Sequence, residues 1–68
     1  MGTNENKPKP TCKLIGRDGN VYNLIGTAKE CLRHAGQRDQ AEAMAVRCFH
    51  ADDYDHVLAI IGEYVNII

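Results

Sequence analysis

Serine is absent from this chain of 68 residues, which removes serine-nucleophile chemistry at the outset. No apolar run approaches the ~20 residues that span a bilayer, and no secretory leader pattern is visible, so no membrane partner is expected. Cysteine is sparse, with three residues at irregular spacing. An odd, irregular count argues against a disulfide framework and for a reducing cytoplasm. Charge of either sign is not in excess: eight Lys and Arg face nine Asp and Glu, for a formal net charge of −1. Nothing in that balance attracts nucleic acid or an anionic membrane. There is no internal repeat and no low-complexity core segment.

What is present divides into a lead and a domain. Residues 1–10 hold no large apolar side chain after Met1, but two Pro, two Lys and two Asn. Such a stretch buries too little surface to offset its ordering entropy, so it reads as a disordered N-terminal segment. Residues 11–68 read as a single α+β domain. A domain of this size buries only about 60% of the surface exposed by its unfolded chain. It therefore wants a staple, and with disulfides disfavoured the leading candidate is association into a homodimer.

Thr11 to Gly16 reads as a strand, with Cys12 and Leu14 on one face and Lys13 and Ile15 on the other. Arg17-Asp18-Gly19-Asn20 follows as a turn. An Asp-Gly turn between apolar runs also signals a hairpin, with a second strand over Val21 to Ile25. The helical alternative places Val21, Leu24, Ile25, Ala28, Cys31, Leu32 and Ala35 on one face. That pattern persists to Ala35 and the alternation stops at Ile25, so the helix is preferred. Asn20 or Asp18 caps it, and Gly36 follows as its stop. A second helix fits Arg38 to His50, with Ala41, Met44, Ala45, Cys48 and Phe49 inward. Asp52 or Asp53 caps a third helix through about Gly62, with Val57, Leu58, Ile60 and Ile61 inward. Glu63 to Ile68 is β-branched and aromatic enough for a strand. The expected order is β-α-α-α-β, with the two terminal strands pairing. A lone two-stranded sheet leaves open edges that a second copy would cover.

Candidate chemistry is thin. Cys31 and His34 stand three apart on the first helix, and a Cys-His pair activates a thiolate. Cys31 also belongs to the apolar stripe, where free Cys acts as a small hydrophobe. Cys31, His34, Cys48 and His50 contain the donor types of a zinc site, but their spacings match no recognised finger. His34 and His50 suit the ends of helices as dipole partners. Asp52, Asp53 and Asp55 near His56 resemble acid–base machinery, but acids at a helix start are favoured for capping alone. No catalytic residue, metal or cofactor is expected.

Two polar groups remain. Gly19 lets backbone approach a ligand, the free amides of a helix start suit anions, and Arg17 is adjacent. Arg33, His34, Gln37 and Arg38 cluster around the junction of the first two helices, where Arg forks match phosphate or carboxylate. Tyr22, Tyr54 and Tyr64 are available for stacking on a base. Helices joined at Gly36 superficially suggest a helix-turn-helix, which the charge balance and the few basic residues of the second helix oppose.

The stretch Lys13-Leu14-Ile15-Gly16-x-Asp18-Gly19-Asn20-Val21-Tyr22, then Gly26, Leu32-Arg33-x-Ala35-Gly36 and Asp53-Tyr54-Asp55-x-Val57-Leu58, resembles a family of short proteins from phages and mobile elements of gut Gram-positive bacteria. The resemblance covers about residues 12 to 68. Relatives often carry Arg where this chain has His34. The resemblance implies a small accessory protein of the host bacterial cytoplasm that counters a bacterial defence system. The first expectation is a non-catalytic sponge for a nucleotide-derived immune signal, ADP-ribose-derived or cyclic. Arg17, Asp18 and Asn20 would form one wall, Arg33, His34 and Arg38 the other, and Tyr22 would stack. The alternative is an inhibitor that binds a defence enzyme by surface contact, with an exposed apolar or acidic patch. A DNA-binding regulator is the third.

Overall fold

The computed structural model describes residues 8–14 and 19–68. The elements run β1 (Thr11–Cys12), α1 (Val21–His34), α2 (Arg38–Phe49), α3 (Tyr54–Tyr64) and β2 (Asn66–Ile67), the expected β-α-α-α-β order.

Local chemistry sets each boundary. At the start of α1 the Asn20 carboxamide oxygen accepts from the Tyr22 amide at 2.9 Å. Asn20 thus performs the capping left open between it and Asp18. At the other end Gly36 adopts φ 78°. Its amide donates to the Arg33 carbonyl at 3.0 Å and the Gln37 amide to the Leu32 carbonyl at 2.8 Å. This pair of bonds is a Schellman closure, which needs the left-handed conformation that glycine adopts without steric cost. Asp53 caps α3, its carboxylate accepting from the His56 amide at 2.8 Å. Gln37 precedes α2 without a side-chain cap. Its carboxamide instead donates to the Pro8 carbonyl at 2.8 Å, and the residue is only 8% exposed.

The two strands pair in parallel, Thr11 opposite Asn66 and Cys12 opposite Ile67. A parallel pair needs a long crossover, here supplied by all three helices. Backbone bonds continue the ladder past both ends: Asn66 donates to Pro10 at 2.8 Å, Ile68 to Cys12 at 3.1 Å, and Leu14 to Ile68 at 3.2 Å. The expected strand from Thr11 to Gly16 is therefore shorter as a ladder, and Ile15 and Gly16 lie outside the described residues. The C-terminal strand is also shorter, because α3 continues through Tyr64.

The core lies between the helices and one face of the sheet. Leu24, Leu32, Met44, Ile61, Val65 and Cys12 are its largest fully buried side chains. Two expected core members fall outside it: Phe49 is 62% exposed, and Ala35 is exposed at the end of α1. On the outer surface Arg47 ties α2 to α3. Its guanidinium donates to both Glu63 carboxylate oxygens, at 2.7 and 3.2 Å, and to the Tyr64 hydroxyl at 3.2 Å.

Two expectations need correction. The cysteine count argued against a disulfide, yet Cys12 and Cys31 are bridged, their Cα atoms 6.0 Å apart. The parallel ladder seats β1 against α1, so residues distant in sequence meet, a proximity that spacing cannot reveal. The N-terminal lead was expected to end at Pro10, yet Pro8 to Pro10 are bonded to the domain. Besides the Pro8 and Pro10 carbonyls, Lys9 Nζ donates to the Gly62 carbonyl at 2.7 Å, and its own carbonyl accepts from the Asn66 carboxamide at 3.2 Å. Residues 1–7 lie outside the described residues.

Candidate functional site

The start of α1, the end of α2 and the start of α3 converge at one end of the molecule. Between them opens a groove of about 360 Å³, within the roughly 300–1,000 Å³ of ligand pockets. Its floor is apolar, with Ile25, Cys48 and Val57. Its sides are aromatic. Tyr22, Phe49 and Tyr54 line it while remaining 68%, 62% and 39% exposed. The Tyr22 and Phe49 rings stand 6.2 Å apart between centroids, tilted by 37°, within the range of a favourable aromatic pair. Gly19, Asp52 and Asp53 complete the rim.

Helix geometry explains these placements. Tyr22 lies one turn from buried Ile25, and Tyr54 one turn from buried Val57, so each ring shares the face of a core residue but sits a turn beyond the core. Phe49 is the last residue of α2, where no neighbouring helix continues over it. Asp53 keeps its cap bond while lining the rim. The Asp52 amide approaches His56 Nδ1 at 3.5 Å.

The thiol that lines the groove is not activated. Burial pushes the Cys48 thiol above its ordinary range, which disfavours the thiolate. Cys31 is committed to the disulfide, so the Cys31–His34 pairing considered from spacing has no free thiol. His34 instead approaches Glu30 at 3.5 Å. His50 Nδ1 lies 2.9 Å from the Val46 carbonyl. Among the described residues no group of three or more His, Cys, Asp or Glu is arranged to hold a metal ion.

The expected ligand-binding residues divide among three places. Arg17 and Asp18 lie outside the described residues. Asn20 is the cap of α1, and Tyr22 is in the groove. Arg33 and His34 lie at the far end of α1, both against Glu30, at 3.7 and 3.5 Å. Tyr22 and Arg33 stand eleven positions apart on the helix, about 16 Å along the axis. Arg38 is exposed at the first position of α2, beside that far end. Within the chain, then, the Arg33–Arg38 wall does not face the turn before α1. Gln37, grouped with that wall, is occupied in holding Pro8.

Residue-by-residue reading missed Phe49 as a site residue, because its spacing matched the buried stripe of α2. A positional signal was available. All four aromatic residues of the chain stand within two residues of a helix end, and three of them share one end of the fold. No helix among the described residues is long and apolar enough to cross a membrane. The chain matches no protein-family model, no curated protein and no solved structure.

Proposed function

We propose that the chain is a non-catalytic binding protein that docks the aromatic groove onto a partner protein. The observation that carries this reading is the exposure of three rings around one apolar floor. Aromatic side chains bury large areas at low entropic cost and dominate binding hot spots. The acidic rim adds complementarity for a basic surface. No ion pair among the described residues engages Asp52, Asp53 or Asp55. The resemblance to short phage and mobile-element proteins supplies the setting, in which the partner is an enzyme of bacterial defence and the chain its inhibitor.

The test is capture of host protein by the tagged chain, compared with Phe49→Asp. Phe49 is 62% exposed, so the substitution is expected to cost little stability, which the melting temperature of the variant checks, while placing a charge among the rings. A partner retained by the native chain and lost by the variant supports docking through the groove. Identical capture by both chains refutes it.

Sequestration of a nucleotide-derived signal is the second reading, favoured by the paired Tyr22 and Phe49 rings and by a groove of small-molecule size. It stands second because Asp52 and Asp53 repel phosphate at the rim and the Arg33–Arg38 group is remote. A melting-temperature rise with ADP-ribose or a cyclic nucleotide, abolished in Tyr22→Ala, would place it first. No rise across the panel removes it.

Association into a homodimer is part of the proposal, through the open edges of the two-stranded sheet. Sedimentation of the native chain checks it, with a monomer at all concentrations as the refuting result. Action in the host bacterial cytoplasm is the remaining part. The Cys12–Cys31 bridge removes the support that the cysteine count lent to it. Thiol labelling of the protein in acid-quenched cells reads the compartment directly, since a reducing cytoplasm keeps such pairs open.

A further inference from the structure

We infer that the occupant of the groove is a cationic side chain, arginine or lysine, flanked by apolar residues on the partner protein. This deepens the docking proposal and rests on it.

The arrangement has a precedent inside the same molecule. On the outer face of α2 and α3, the Arg47 guanidinium lies 5.7 Å from the centroid of the Tyr64 ring and donates twice to the Glu63 carboxylate. Ring, carboxylate and cation form one unit there. In the groove the rings of Tyr22, Phe49 and Tyr54 and the carboxylates of Asp52 and Asp53 are again together. No Lys or Arg among the described residues lines the groove.

Physical chemistry selects the occupant. A ring face is negative and attracts a cation within about 6 Å of its centroid. Tyr22 and Phe49, tilted 37° at 6.2 Å, do not stack flat on one another and remain largely exposed, so ring surface is accessible to a cation. The apolar floor of Ile25 and Val57 accepts the aliphatic stem of Arg or Lys, whose charged head then remains at the wet, acidic rim. A phosphate at that rim meets two carboxylates. A second copy of the chain seated by two-fold symmetry brings Asp52 and Asp53 near their own counterparts, a like-charge juxtaposition that disfavours self-docking.

The experiment titrates the ¹⁵N-labelled full chain with a capped Leu-Arg-Leu peptide and with the same peptide carrying citrulline, neutral but nearly isosteric, in place of arginine. The expected result is amide shifts concentrated at Tyr22, Phe49 and Tyr54, with the citrulline peptide weaker by roughly fivefold, the scale of an exposed cation–π contact. The Asp52→Asn/Asp53→Asn double variant weakens the arginine peptide by a similar factor, and added salt weakens it further. Asparagine is as good a cap as aspartate, so α3 remains intact in that variant. Equal binding of the two peptides overturns the inference, as does the absence of shifts at about 5 mM peptide, beyond the weakest specific affinities of interest. If partner capture is lost in Phe49→Asp but unchanged in Asp52→Asn/Asp53→Asn, the cationic occupant is refuted and the docking proposal stands. If capture is indifferent to Phe49→Asp, the docking proposal itself fails.

Discussion

Reduction of the Cys12–Cys31 bridge is the sharpest perturbation available, because it replaces no residue. The bridge joins β1 to α1 across a sequence separation of 19. Closing a loop of that length removes denatured-state entropy worth about 3 kcal/mol at 25 °C. In a domain of this size each kcal/mol moves the midpoint of thermal unfolding by about 4–8 °C. Reduction should therefore lower it by roughly 12–24 °C. Two features blunt the loss without abolishing it. Cys12 Sγ lies 3.8 Å from the Thr27 carbonyl; a bridged sulfur has no proton to give, whereas the free thiol donates a weak bond there. β1 is also held independently by the backbone ladder to β2. Circular dichroism melts of one preparation, with and without a phosphine reductant, measure the difference. Cys31→Ala without reductant should melt near the reduced protein, since Cys31 is only partly buried. Melts that coincide within about 2 °C would refute the reasoning, because they would mean that the bridge constrains nothing the folded chain depends on.

Gly36→Ala places a Cβ on a residue at φ 78° and should cost about 1 kcal/mol by chemical denaturation, with nothing gained elsewhere. Leu32→Ala, at a fully buried site, should cost about 2–5 kcal/mol. Phe49→Ala, at a larger but 62% exposed residue, should cost less than about 1 kcal/mol; the reverse order would contradict the placement of both. The Arg47 guanidinium holds the Glu63 carboxyl below its ordinary value of 4.5. A lowered carboxylate pKa means that the pair's contribution is present above about pH 4.5 and fades as pH falls through the lower, folded value. Melting temperatures from pH 7 to pH 3 should consequently fall less steeply in Glu63→Gln than in the native chain, by a small margin because both groups are exposed.

The helices were legible because their signals are local. Asn20 sits one residue and Asp53 four residues before an apolar stripe, Gly36 sits after one, and each does at its position what its chemistry allows. The pairing of terminal strands was legible for a different reason: two short β-prone segments in a small domain have few other partners. The disulfide was not legible. It depends on how far α1 is rotated beneath β1, and rotation is decided by packing of Leu24, Ile25, Ala28 and Leu32 against the other two helices. The involvement of Pro8 to Pro10 was missed similarly. Composition describes what a segment can bury, and these residues are held by hydrogen bonds from Gln37 and Asn66 and to Gly62 instead.

The candidate site turns on a distinction that periodicity does not make. Phe49 has the spacing of a core residue, and spacing gives the face of a helix on which a side chain lies. It does not give the position along the axis at which the neighbouring helices stop covering that face. Where α2 ends, α1 and α3 are only beginning. An apolar face at that level is lined with Tyr22 and Tyr54 and left open rather than sealed. The same three helix ends govern the electrostatics. Two helix starts meet there, and each favours an acidic or amide cap, so the carboxylates of Asp52 and Asp53 enter the rim as a consequence of starting α3. The same dipole logic places Arg33 and His34 in the last turn of α1, away from the groove. Along α1 the charged residues are thus sorted by helix end. An anion site assembled from both ends of α1 runs against that sorting, whereas an acidic, aromatic groove for a cation follows from it.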